Sequence, residues 1–118
     1  MSMALIRFNL VDPSLERSAM ADRYRAMLEL AEFADRNGFF MATFEEHHGA
    51  DNGWSPTPLV NAAMVLSRTT NLAASISALL LPLHDPIRVA EDIAVIDLAS
   101  RGRLTTILGL GYRPSEYA

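Results

Sequence analysis

Residues 39–48 read FFMATFEEHH, from Phe39 to His48: six uncharged residues run straight into Glu45, Glu46, His47 and His48. The apolar half does not alternate with polar residues, so a strand over 39–44 should have both faces covered, as in a parallel sheet lined by helices. The ionisable half then falls at the carboxyl end of that strand. Two carboxylates and two imidazoles there could supply a general base, a hydrogen-bond clamp or ligands, because imidazole is the side chain whose charge changes near neutral pH. The competing reading of EEHH in an acidic chain is a solvated polar loop. The positions of the other unusual residues decide between them.

Upstream, Asn37-Gly38 stops an amphipathic helix over about 18–37, whose apolar face is Tyr24, Met27, Leu28, Ala31 and Ala34. Before it, Met3 to Leu10 (MALIRFNL) reads as a first strand ended by Asp12-Pro13, with Asn9 near its exit. Downstream, the long loop from Glu45 to Thr57 holds Gly49, Gly53 and the single tryptophan, Trp54. Thr57-Pro58 supplies an N-cap and a first-turn proline for a second helix through Arg68. Leu72 to Leu81 (LAASISALLL) is an uncharged third strand. Asp85-Pro86 repeats the cap-and-proline signal for a third helix, with Val89, Ala90, Ile93, Ala94 and Ile96 as its core stripe and a stop near Ser100-Arg101-Gly102. Leu104 to Leu110 is the fourth strand, running into Gly109-Leu110-Gly111-Tyr112.

Strand and helix therefore alternate as βαβαβαβ, the order of an α/β protein with a parallel sheet and right-handed crossovers. Every strand-to-helix loop then emerges at the carboxyl edge of the sheet, where such folds place their sites. His47, His48 and His84, all the histidines of the chain, lie in those loops with Glu45, Glu46, Trp54, Asp85 and the Gly109/Gly111 pair. With the second strand starting at Phe39, the helix-to-strand returns contain no histidine and no aromatic pair. That asymmetry favours chemistry over a solvated loop.

The 118 residues, half of them hydrophobic, suffice for one ordinary domain or part of one. A net charge of −4 and the lack of any Lys/Arg run argue against a nucleic-acid partner. With no cysteine, disulfide scaffolds, thiolate metal sites and cysteine nucleophiles are excluded. The longest uncharged run, Thr69 to His84, is too short and too interrupted by Asn and Pro to span a bilayer, and no charged-then-apolar leader is visible. No membrane partner is expected, and a cytoplasmic location is.

Along an extended backbone His47 and His48 point to opposite sides, so at most one faces a given pocket. A metal site is not expected, because no HExxH occurs and adjacent histidines rarely chelate one ion. No Gly-x-Ser-x-Gly elbow supports a serine hydrolase. Gly109-Leu110-Gly111 is either a tight turn or a close backbone approach to a ligand, and the flanking Arg103 and Arg113 are either solvated or anion contacts. Ser77-Ala78 places small residues where a flat ligand could approach the third strand, or where a neighbouring Leu or Met packs.

The combination resembles the amino-terminal half of the bacterial luciferase-like flavin monooxygenase family, which includes alkanal monooxygenases and oxidoreductases that use the deazaflavin coenzyme F-420. The matching segments are FEEHHGADNGWSPTPL (44–59), SALLLPLHDPIRVAEDIAVIDLASRGRL (77–104) and LGLGY (108–112) followed by Glu116. The resemblance implies that residues 1–118 are a luciferase-like half-barrel domain, truncated relative to the full family domain: four strands of a (β/α)8 TIM barrel whose carboxyl-terminal face binds flavin. It implies that His47, with His48 beside it, is catalytic. Glu46, Ser77, Ala78, Leu79, Gly109 and Gly111 would hold the cofactor, with a non-proline cis peptide at Ser77-Ala78. Reduced FMN with dioxygen would oxidise a small organic substrate; the alternatives are hydride transfer with coenzyme F-420 and a non-catalytic half-barrel that serves assembly. Leu110 stands where some members grip the flavin phosphate with Arg. A homodimer or higher homo-oligomer is implied, packed through Pro58–Thr69 and Pro86–Ala99.

Overall fold

In the computed structural model, which describes residues 3–117, the chain forms β1 (Leu5–Phe8), α1 (Arg17–Arg36), β2 (Met41–Phe44), α2 (Pro58–Arg68), β3 (Ala73–Leu80), α3 (Pro86–Ser100) and β4 (Leu104–Gly109). Short 3-10 turns at Leu81–Leu83 and Pro114–Glu116 follow β3 and β4. The strands are parallel and lie side by side in the order β1-β2-β3-β4. This is the expected α/β order, and it makes half the wall of an eight-stranded (β/α)8 barrel.

One face of the sheet carries Phe8, Ala42, Phe44, Ala74 and Ile76, which pack in one core with Met27, Ala31 and Ala34 of α1 and Ala62, Val65 and Leu66 of α2. The 3.6-residue period of α1 thus buries the stripe its sequence predicts. The stripe of α3 is only partly covered: Val89 is buried and Ile93 and Ile96 are half-buried, but Ala90 and Ala94 are exposed. Among the described residues β4 has a strand on one side only, so nothing packs beyond α3. The two-sided burial expected of the strands holds best for β3, in which Ala74, Ser75, Ile76, Leu79 and Leu80 are all buried. No described helix is long and apolar enough to cross a membrane.

The structure corrects several local expectations, and the strands are shorter than their apolar runs: β1 is Leu5–Phe8 within 3–10, and β3 is Ala73–Leu80 within 72–81. β2 begins at Met41, so Phe39 and Phe40 are an aromatic pair within a helix-to-strand return; Phe40 N–H donates to Ala4 O at 2.8 Å, and Phe40 is 52% exposed. Thr57 precedes α2 but makes no side-chain cap, whereas Asp85 does, accepting from Arg88 N–H at 2.9 Å. Arg103 is neither solvated nor an anion contact. Its guanidinium donates to Leu66 O and Leu72 O, both at 2.8 Å, and so satisfies carbonyls at the end of α2 and in the return to β3, at the pole away from Gly109.

Two carboxylates pin loops at opposite ends of the sheet. Asp35 accepts the backbone N–H groups of Thr70, Asn71 and Leu72 at 2.9, 2.8 and 2.6 Å. Burial pushes its carboxyl up, but those three donors and the nearby Arg103 outweigh burial and hold it below the usual carboxylate range. Asp12 is lowered to about 2, first by its hydrogen bond to Arg23 and then by Ser14. Both groups are more acidic in the folded chain, so their stabilisation is present above the ordinary carboxylate value near 3.8 and is lost as pH falls below it, for Asp12 through about 2. Thermal unfolding followed between pH 5 and pH 2 should show a midpoint that falls through this window, with a shallower fall in Asp35→Asn.

Candidate functional site

The carboxyl ends of β2, β3 and β4 enclose a cleft of about 400 Å³, lined among others by His47, Trp54, Ser77, Ala78, Gly109 and Gly111. The segment after β2 and the glycine turn at the end of β4 are thus brought to one rim, as their position at the carboxyl ends of parallel strands predicts, and Ser77-Ala78 within β3 lines the same cleft. Glu45, Glu46 and Arg7 also line the cleft, and Arg7 pairs with Glu45.

The two histidines do point apart. His47 sets Nδ1 2.8 Å from Glu116 Oε1, in a buried contact, and its ring lies against Trp54 with centroids 4.2 Å apart at 56°. Where Glu116 is ionised its oxygen can only accept, and His47 Nδ1 is then the donor, which leaves Nε2 of a neutral ring as a bare acceptor. His48 turns the other way, with Nε2 2.7 Å from Glu46 Oε1, and does not line the cleft. His84 Nε2 meets the same oxygen at 2.6 Å, while Glu46 Oε2 accepts Leu80 N–H at 2.6 Å. The Glu46 side chain is wholly buried and its oxygens are engaged by internal partners. It ties the end of β2 to the end of β3.

The floor is made of small residues. The Ser77-Ala78 peptide is cis, and the β3–β4 register shifts between Ser77 and Leu79. Ala78 faces Gly109 so closely that a Cβ built on Gly109 would sit 2.9 Å from Ala78 Cβ. Gly109→Ala should therefore cost about 1–3 kcal/mol of stability in chemical denaturation, and adding Ala78→Gly should recover most of it. Leu79 is fully buried and does not line the cleft; Leu110 is 81% exposed. Arg113 lies over Trp54, its guanidinium carbon 5.8 Å from the ring centroid, at the outer rim.

The sequence puts His84 at this edge but does not pair it with Glu46, and nothing local in it links Glu116 to His47. The first pair is 38 positions apart and the second 69. Only the parallel order of the strands could have suggested either.

Comparison with known proteins fits this geometry. The sequence model of the luciferase-like monooxygenase family matches residues 3–118. The chain is 38% identical over 99 residues to protein y4wF of Sinorhizobium fredii, covering 84% of this chain and 29% of that protein. It is 31% identical over 94 residues to the oxygenase component of the flavin-dependent trigonelline monooxygenase of Acinetobacter baylyi, covering 80% and 26%. Monooxygenase RslO1 of Streptomyces bottropensis superposes with a TM-score of 0.86 at 30% identity, over 98% of this chain and 35% of that one. The oxygenating constituent of 3,6-diketocamphane monooxygenase from Pseudomonas putida, solved with FMN, has the same fold, with a TM-score of 0.86 at 22% identity over 98% and 31%. The chain thus spans about a third or less of the proteins it matches. With four parallel strands in sequence order and a match along nearly its whole length, the chain belongs to the luciferase-like monooxygenase family.

Proposed function

We propose that the chain carries the flavin-binding rim of a luciferase-like monooxygenase, in which reduced FMN and dioxygen oxidise a small organic substrate. The observation that carries this reading is His47: its imidazole forms part of the cleft wall, and Glu116 fixes Nδ1 as the donor and leaves Nε2 to accept a proton. The cleft suits a flat ring, since Ala78 and Gly109 keep side-chain bulk out of the floor while Trp54 offers an aromatic wall. Bound flavin would supply the electrons and the activation of dioxygen.

In this reading Ser77, Ala78, Gly109 and Gly111 lie against the ring and His47 accepts or returns a proton at Nε2. Glu116 is a positioning residue. Glu46, itself part of the cleft lining, holds the rim through Leu80 N–H, and His48 acts through Glu46, while Leu79 packs in the core. The reading is tested by titrating the protein with reduced FMN, oxidised FMN and coenzyme F-420. Saturable binding of FMN supports it, preference for F-420 favours the hydride-transfer alternative, and no binding in any oligomer removes the catalytic assignment.

A second reading, assembly of the half-barrel into homodimers or larger homo-oligomers, is favoured by the exposed apolar residues on the strands and outer helices. Leu5, Ile107 and Leu108 of the sheet, and Val60 of α2 and Val95 of α3, are all more than half exposed. Sedimentation should give discrete dimers or tetramers. A monodisperse monomer would remove this reading.

A further inference from the structure

The rim holds a second set of ionisable groups beside the cleft. Glu46, His48 and His84 each offer a ligand atom within 4.8 Å of the other two, and His47 is not among them. We propose that Glu46, His48 and His84 form a site for one divalent transition-metal ion, zinc in particular.

Two imidazoles and one carboxylate are a donor set that borderline ions such as zinc accept, at bond lengths of about 2.0–2.2 Å. The sequence argues against a metal because it has no HExxH and because adjacent histidines rarely chelate one ion. That objection does not reach this set, because His47 turns to Glu116 and the second imidazole comes from His84, just ahead of the capped α3. The carboxylate is held in place from behind, with Leu80 N–H donating to Oε2 at 2.6 Å, as a ligand's outer partner does. The imidazoles are 33% and 27% exposed, so an ion can enter from solvent and keep water in its remaining position.

Without an ion the two Nε2–H groups converge on one oxygen at 2.7 and 2.6 Å. Donors around a single ion stand about 3–3.5 Å apart for such bond lengths, so each Nε2 must move away from Oε1 by less than about 1 Å and the two nitrogens must take up a similar separation from each other. Each neutral ring then gives up its Nε2 proton and takes one at Nδ1, presenting the Nε2 lone pair to the ion with no net change in protonation. Bound there, zinc would fasten the end of β2 to the turn before α3.

The test uses protein stripped with a chelator and titrated with Zn²⁺ by calorimetry, then with Co²⁺ as an absorbing probe. One equivalent should bind, visible cobalt bands should appear, and His48→Ala and His84→Ala should each weaken binding at least tenfold. Long-range ¹H–¹⁵N imidazole spectra of the unaltered protein need no variant: Zn²⁺ should shift Nε2 of His48 and His84 and leave His47 in place. No saturable binding would leave a purely hydrogen-bonded clamp and overturn the proposal. Affinity unchanged from the unaltered protein in both variants, or shifts confined to His47, would overturn it too. Neither result bears on the flavin titration.

Discussion

Replacing His47 with Asn should lower turnover about a hundredfold to ten-thousandfold, the range that a positioned acid–base group contributes. Asn suits this test because its amide nitrogen falls near the position of Nδ1 and can still donate to the buried Glu116, whereas Nε2 is lost. The thermal midpoint should therefore move little while kcat collapses. Glu116→Gln should act on the same group from behind: it can offer Nδ1 a donor instead of an acceptor, favour the other tautomer and change the pH profile of kcat. Unchanged turnover in His47→Asn would contradict the role assigned to its imidazole.

Glu46→Ala should show the largest loss of stability, about 3 kcal/mol or more in chemical denaturation of metal-free protein. Leu80 N–H is buried and would lose its acceptor, a loss of about 1–3 kcal/mol, and the emptied space adds a cavity cost. Two imidazoles would also lose their shared partner. The Arg88–Asp92 pair on the surface of α3 provides the contrast. It spans 3.2 Å between side chains 73% and 39% exposed, so Asp92→Ala should change stability by less than about 0.5 kcal/mol. A Glu46→Ala effect as small as that one would mean that the carboxylate does not join β2 to β3.

Much of the fold could be read from local pattern. The stripe Met27, Ala31, Ala34 names the buried face of α1, Asp85-Pro86 marks the start of α3, and Arg101-Gly102, both at positive φ, mark its stop. Local pattern misjudged β2 because Phe39 and Phe40 are as strand-like as the residues that follow, and only pairing with β1 and β3 shows that the ladder begins at Met41. Thr57 has the chemistry of a cap and lacks the geometry, with φ −129° and ψ 67°. Arg103 looked like a companion of the glycine turn because the two are close in sequence. The strand between them carries them to opposite ends of the sheet.

The site was legible as a rim and not as a set of contacts. Strand alternation separated His47 from His48 correctly, since one turns to Glu116 and the other to Glu46. Which distant residue met each ring depended on crossovers that periodicity does not encode. The resemblance to a known family supplied the Ser77-Ala78 cis peptide, which no propensity argument predicts.

The most direct measurement is a backbone ¹H–¹⁵N chemical-shift map of the protein titrated with FMN. Saturable shifts at His47, Ala78, Gly109 and Gly111 are predicted, with Val60 and Val95 on the outer helices unmoved. Shifts confined to α2 and α3, or none at any concentration, would contradict a flavin seat on the strand-end rim.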